Sequence, residues 1–386
     1  MRQGTLFILM MLLASSGWAQ EKREIWALNG YLRGLEQLWI PPQTSTWRTM
    51  TSLQNRLDMR IYPIEELTFH AGFRNIFNYG QLIQEMYPYY PEMATYDDGF
   101  FDLTWKWASD SSYLFYTNTD RLNLKYKKGK FETTVGRQRI NWGINLVWTP
   151  NDIFNSFNYF DFDYVERPGC DAILLEYYTG VVSSIQLAAK LDHDTNLTAA
   201  IMYKYNRWNY DFQLLTGVME EDFVIGAGWT GYIKDAGFTG EGSYFIDHEN
   251  FNDTNGVFVG SIGLNYTLKN GLLLNGSYLF NSAGTTGPAG WGSALALFRD
   301  ISPKDFTLAK NSIFGQLSYP VTPLIKGDLS AIFNPNDKSG FFGPSVDISL
   351  TNNLTLLFLA QVFWGDPYTE YGDFGSLWYL RLKWGF

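Results

Sequence analysis

In the stretch WRTMTSLQNRLDMRIY, residues 47–62, Arg48, Ser52, Gln54, Arg56, Asp58 and Arg60 keep one parity, while Leu53, Leu57, Met59 and Ile61 keep the other. Fixed guanidinium groups in such a row draw in anions and pass them along, a chemistry of conduction that makes and breaks no bond. The same spacing returns along the chain. Arg121 and Lys125 flank Asn123, Arg137 stands two residues before Arg139, and Arg381 stands two before Lys383. Arg33 keeps step with Asn29, Tyr31 and Gln37, and Arg74 with Glu66, Thr68 and His70. A structural use of these cations is the alternative: Asp58, Glu66, Glu132 or loop carboxylates can pair with them and fill a packed interior.

Other chemistry is sparse. The histidines are His70, His193 and His248, and no G-x-S-x-G elbow occurs, so a hydrolase centred on His70 is the weaker alternative. NPNDKSG at 334–340 and DHENFNDTN at 247–255 offer oxygen ligands without EF-hand spacing, so neither a metal nor a cofactor is expected. Cys170 is the single cysteine and excludes an intrachain disulfide; it reads as a packing residue. A net charge of −10 speaks against nucleic acid as a partner.

Period-two alternation is the signature of strands with unlike faces. Placing Arg or Lys on a lipid-facing strand at the bilayer midplane costs about 2–4 kcal/mol, so the charged parity must point inward. Mean hydropathy is −0.17 and aromatic residues make up 18% of the chain, a combination expected when one face meets lipid and the other water. The fold class expected is therefore all-β, a transmembrane antiparallel β-barrel. Eighteen segments fit, from 25–38 to 376–386, with 16 as the other even count. Counting back from the last strand puts the connections 39–47, 78–111, 141–170, 192–196, 219–222, 248–255, 282–310, 334–340 and 365–376 at one end, and these include every long one. FFDLTWKW at 100–107 alternates like a strand but would break that parity, and is assigned to the second external loop.

Closure brings the first and last strands together, so Arg381, Lys383, Arg33, Arg56, Arg60, Arg74, Arg121, Lys125, Arg137 and Arg139 form a basic ladder on one wall. The last strand ends on Trp384 and Phe386, and this alternating aromatic end resembles the signal by which the assembly machinery recognises outer-membrane barrels. At the other terminus Arg2, the apolar run Leu6 to Leu13, and Gly17 and Ala19 read as a signal peptide over 1–19, leaving a single barrel domain over 20–386.

The most distinctive stretch is VGRQRINWGINLVWTPNDIFN, 135–155, which opens a long connection rich in aromatic rings, 141–170. Asn141, Trp142, Trp148, Asn151, Asp152 and Phe154 are the candidate constriction residues. One reading folds this loop inward, narrowing the pore and offering a stacking surface for a sugar-like solute. The other makes it a lid packed on itself or on a neighbouring protomer, which leaves a homo-oligomer open. GRQRINWG followed by VWTPNDIFN resembles the motif of porin-like outer-membrane barrels of the Bacteroidota type. More loosely, the chain is similar to alginate-export and substrate-specific porins. The resemblance implies a passive channel in a Gram-negative envelope, with Arg137, Gln138, Arg139, Asn141, Trp142, Gly143, Pro150, Asn151 and Asp152 matching the family stretch. Its partners would be outer-membrane lipid, the barrel-assembly machinery through the C-terminal strand, and small polar solutes. A plugged structural or adhesive barrel without conductance is the remaining alternative.

Overall fold

The computed structural model describes residues 24–42, 44, 46–161, 166–248, 256–290 and 301–386. The expected signal peptide, Phe162 and Tyr164 of the aromatic loop, and most of the acidic connection after His248 lie outside the described residues.

The chain runs up and down through β1 (Trp26–Ile40), β2 (Arg48–Ile64), β3 (Leu67–Gly80), β4 (Thr104–Asp110), β5 (Tyr113–Lys128) and β6 (Phe131–Gln138). It continues through β7 (Cys170–Tyr178), β8 (Ser184–Leu191), β9 (Leu197–Arg207), β10 (Tyr210–Met219), β11 (Asp222–Ile233), β12 (Ala236–Asp247) and β13 (Val257–Thr267). The last strands are β14 (Leu273–Asn281), β15 (Asn311–Thr322), β16 (Ile325–Asn334), β17 (Ser339–Ser349), β18 (Leu354–Trp364) and β19 (Ser376–Gly385).

Closure removes the sheet edge that a terminal strand would otherwise expose. β19 pairs antiparallel with β1, from Tyr31 opposite Gly385 to Ile40 opposite Ser376. Gly30 and Phe386 complete the seam by exchanging backbone hydrogen bonds of 3.0 and 2.9 Å. β3 pairs directly with β5, which takes β4 out of the wall and leaves a closed 18-strand antiparallel barrel. FFDLTWKW is thus strand-like in form yet spans nothing: β4 lies along the outer end of β5, Thr104 opposite Asn118 and Asp110 opposite Tyr113.

The two faces invert the pattern of a soluble protein. On β2, Leu53 is 55% exposed while Arg56 is 4% exposed, because leucine faces outward and arginine inward. Leu32, Leu214, Ile225, Leu317 and Leu382 continue the outer apolar belt, and Tyr203, Tyr232, Tyr266, Tyr319, Trp384 and Phe386 girdle it near the tight turns. Those turns, among them 65–66, 129–130, 208–209, 234–235 and 323–324, all lie at one end. The long connections 81–112, 139–169, 282–310 and 365–375 lie at the other.

The wall has uneven height. β1, β2, β3 and β5 run 14 to 17 residues, whereas β6, β7 and β8 run 8 or 9. Connection 81–112 closes this gap. Its two short helices, Gln81–Met86 and Tyr89–Thr95, set Tyr90 against Ile76, Leu114 and Tyr116, and Gly99 then reaches over to pair with Asp192.

Candidate pore constriction

β6 stops at Gln138, which lies opposite Cys170, the first residue of β7. The Gln138 side chain turns back onto the wall, donating to Thr134 O at 2.9 Å and Ala172 O at 3.0 Å. With no ladder partner left, the chain departs from the sheet, and the described residues of the connection 139–169 lie across the lumen.

Polar anchors fix its outgoing limb to the far wall. Glu241 on β12 accepts the backbone N–H groups of Ile144 at 2.9 Å, Asn145 at 2.7 Å and Asn151 at 3.1 Å. Ser243 donates to Asn151 Oδ1 at 2.8 Å, and Asn151 Nδ2 donates to Ala227 O at 3.1 Å. Trp142 is held on both sides: its Nε1 donates to Gln186 Oε1 and its carbonyl accepts from Gln213 Nε2, each at 2.7 Å. Close approach is possible because β11 presents Gly226 and Gly228 inward. A Cβ on Gly226 would stand 2.7 Å from Asn151 Oδ1, and one on Gly228 would stand 2.6 Å from Ile144 Cδ1.

Apolar anchors do the rest. Trp142 meets Phe154 edge-on at 4.8 Å, Trp148 meets Phe314 at 6.4 Å, and Phe160 packs on Phe341 and Phe363 at 5.0 and 5.3 Å. Trp142, Trp148 and Phe154 are between 1% and 3% exposed. This corrects the stacking-surface expectation: the rings are spent seating the loop, since a loop without its own sheet or helix must borrow a core from the wall. Only Asn141 among the candidate constriction residues is exposed. Asp152 is fully buried, accepting Trp142 N–H at 3.3 Å, and burial pushes its carboxyl up to about 7 despite that bond and the nearby Arg139 and Arg167.

The return limb crosses back to the basic wall. Tyr31 on β1 donates to Glu166 Oε2 at 3.1 Å, and Arg121 on β5 donates to the carbonyls of Glu166 and Arg167 at 2.6 and 3.0 Å. The loop therefore touches walls all round the lumen.

No protein-family model and no curated protein matches the chain. Solved structures do. OccAB4 of Acinetobacter baumannii superposes with a TM-score of 0.59 at 10% identity, covering 95% of this chain and 99% of that one. The outer membrane protein OprD of Pseudomonas aeruginosa gives 0.57 at 11% identity, with 94% of each chain covered. OccD3 (OpdP) of the same organism gives 0.53 at 9% identity, covering 92% and 91%. The fold is that of an eighteen-strand porin-type barrel.

On that barrel, most of the ladder cations face inward and many are engaged by carboxylates. A register shift between β3 and β5 leaves Asp120 as an extra residue, and Arg56 binds it at 2.6 Å and Asp58 at 3.3 Å. Arg60 and His70 also converge on Asp58, at 3.5 and 2.9 Å, so His70 belongs to a wall network. Lys125 pairs with Glu132, and Arg33 bonds Gln54. Arg381 and Lys383 sit half-buried on β19 next to β1, and Arg74 is buried on β3.

Arg137 and Arg139 do not stay together as their spacing suggested, because alternation ends with β6. Arg137 is 3% exposed, locked to Asp97 at 2.6 Å and Asp171 at 2.7 Å, and it lines a cavity of about 480 Å³ on the long-loop side. Arg139 lines a cavity of about 470 Å³ on the short-turn side. Glu241, Asp97 and the Gly226–Gly228 strip escaped the sequence reading. The alternating glycines of VIGAGWTG were the available signal, since they mark a wall that something approaches closely.

Proposed function

We propose that this protein is an outer-membrane channel for passive diffusion of small hydrophilic solutes, in which the basic wall favours anions and the loop 139–169 sets the narrowest passage. The observation that carries the reading is the loop's attachment to Glu241 on one side and to Tyr31 and Arg121 on the other. A barrel that merely held its shape could fill its lumen with wall side chains. A backbone segment stretched across the bore restricts what passes. The likeness in fold to OprD, an outer membrane protein, supports the same location here, after export through the segment 1–19. Long connections then face the exterior, and Trp384 and Phe386, outward at the short-turn end, serve as the assembly signal. The GRQRINWG and VWTPNDIFN segments would make it a porin-like member of the Bacteroidota type that works without catalysis.

A plugged barrel is the second reading, favoured by the fact that the cavities on either side of the loop share no lining residue. Liposome swelling separates them. Vesicles carrying the protein should swell in sugars, amino acids and organic anions, with anions fastest; vesicles that stay impermeable to all three classes would make the barrel a plug.

A further inference from the structure

We propose that the chamber beneath the loop is a binding site for a phosphorylated polyol, a solute with a phosphate monoester at one end and free hydroxyls along its body. The proposal rests on the channel reading for its physiological use, though the site itself is defined by geometry.

Arg139 and Arg167 both line the chamber. Neither makes an ion pair with a carboxylate at contact distance among the described residues, and Arg139 Nε is buried without a hydrogen-bond partner there. Asp152, which accepts the Trp142 N–H, acts on both guanidinium groups from beyond contact distance, and Asp161 acts in the same way on Arg167. Arg167 is set in place by Arg121, which grips its carbonyl, and by a left-handed backbone, φ 53°, unusual for the residue before a proline. Two guanidinium groups in one chamber call for two negative charges. A phosphate monoester carries about −1.5 to −2 at pH 7 and presents three acceptor oxygens, whereas a carboxylate balances one cation.

The opposite lining is neutral and incompletely satisfied. Asn145 and Thr149 are 8% and 2% exposed, and Asn145 Oδ1 and Thr149 Oγ1, both buried, have no hydrogen-bond partner among the described residues. A buried acceptor left open costs free energy unless a ligand donor meets it, and sugar hydroxyls are such donors. Asn265, Asn275 and Ser277 extend this wall toward the tight turns. Cationic at one end and amide- and hydroxyl-lined at the other, about 470 Å³ of space suits one phosphorylated monosaccharide.

The test is isothermal titration calorimetry on the full-length protein in detergent, with glucose 6-phosphate, glucose, gluconate and inorganic phosphate as probes. Glucose 6-phosphate should bind about tenfold or more tightly than glucose or gluconate. Arg139→Ala with Arg167→Ala should abolish that advantage, while Thr149→Val should weaken glucose 6-phosphate and leave inorganic phosphate unchanged. Circular dichroism and heat-modifiable migration identify any variant that fails to fold, and Arg139→Lys, which keeps the charge and loses the fork, should retain intermediate affinity. Equal binding of gluconate, equal binding by the double alanine variant, or no binding at all would overturn the proposal. So would displacement of the sugar phosphate by dihexanoyl phosphatidic acid, which would make the ligand a lipid headgroup. Because calorimetry needs no conduction, a wild-type protein that binds but never conducts refutes the channel reading and spares the site.

Discussion

Glu241 is the residue on which the loop's position turns. One carboxyl group satisfies three backbone N–H groups of the loop. Glu241→Ala strands those amides, each at about 1–3 kcal/mol where water cannot reach them. Amide exchange at Ile144, Asn145 and Asn151 should accelerate, and unchanged protection would show the apolar contacts suffice. Trp148→Ala should loosen the loop at a cost of about 3–5 kcal/mol, read as a lower temperature for its proteolytic cleavage. Asp152 adds a pH dependence. Its buried carboxyl, raised to about 7, holds its proton more tightly in the docked loop than in a solvated one. Docking is therefore strongest below the ordinary aspartate range and weakens as pH rises through about 7. Loop protection should be greater at pH 5 than at pH 8, and Asp152→Asn should reduce the difference. The inward parity of 47–62 was legible from sequence because period two ties each residue to a face. The partners of Arg56 and Arg137 were not: Asp120 and Asp97 lie 64 and 40 residues away and meet them only through a bulge and a folded-over loop.

At the scale of elements, parity was informative because successive strands of a closed antiparallel barrel alternate in direction, so a false strand inverts all that follow. FFDLTWKW has the alternation but only the outer end of β5 to pair with, and parity alone kept it out of the wall. The end of β6 was opaque. GRQRI keeps alternating through Ile140, and only the absence of a partner beyond Cys170 stops the ladder at Gln138. β19 makes its own demand. Phe386 closes the seam with Gly30 and stands 46% exposed beside Trp384, their rings 5.3 Å apart. Deleting Phe386 should lower the yield of assembled, heat-modifiable barrel in an outer membrane while the detergent-refolded protein keeps its strand content. Normal yield in the membrane would remove it from the assembly signal.

Across the whole molecule, apolar side chains face out of the barrel and most of the basic ladder faces in, and the loop that follows β6 crosses the bore. The tall wall of β1, β2, β3 and β5 carries most of the ladder; the loop leans on β8 and β10 to β13 through polar contacts and on β15, β17 and β18 through its rings, then returns to that ladder. On the proposed channel reading, passage through the bore responds to the loop's anchors more than to the barrel's diameter. Single-channel recording in planar bilayers tests this most directly, comparing the wild type with Glu241→Ala and with Gly228→Leu, whose larger side chain occupies the space of Ile144 and Asn151. Small, uniform conductance steps are expected from the wild type and larger, noisier ones from both variants. A wild type without steps, or variants whose conductance matches it, would contradict the assignment of the constriction to this loop.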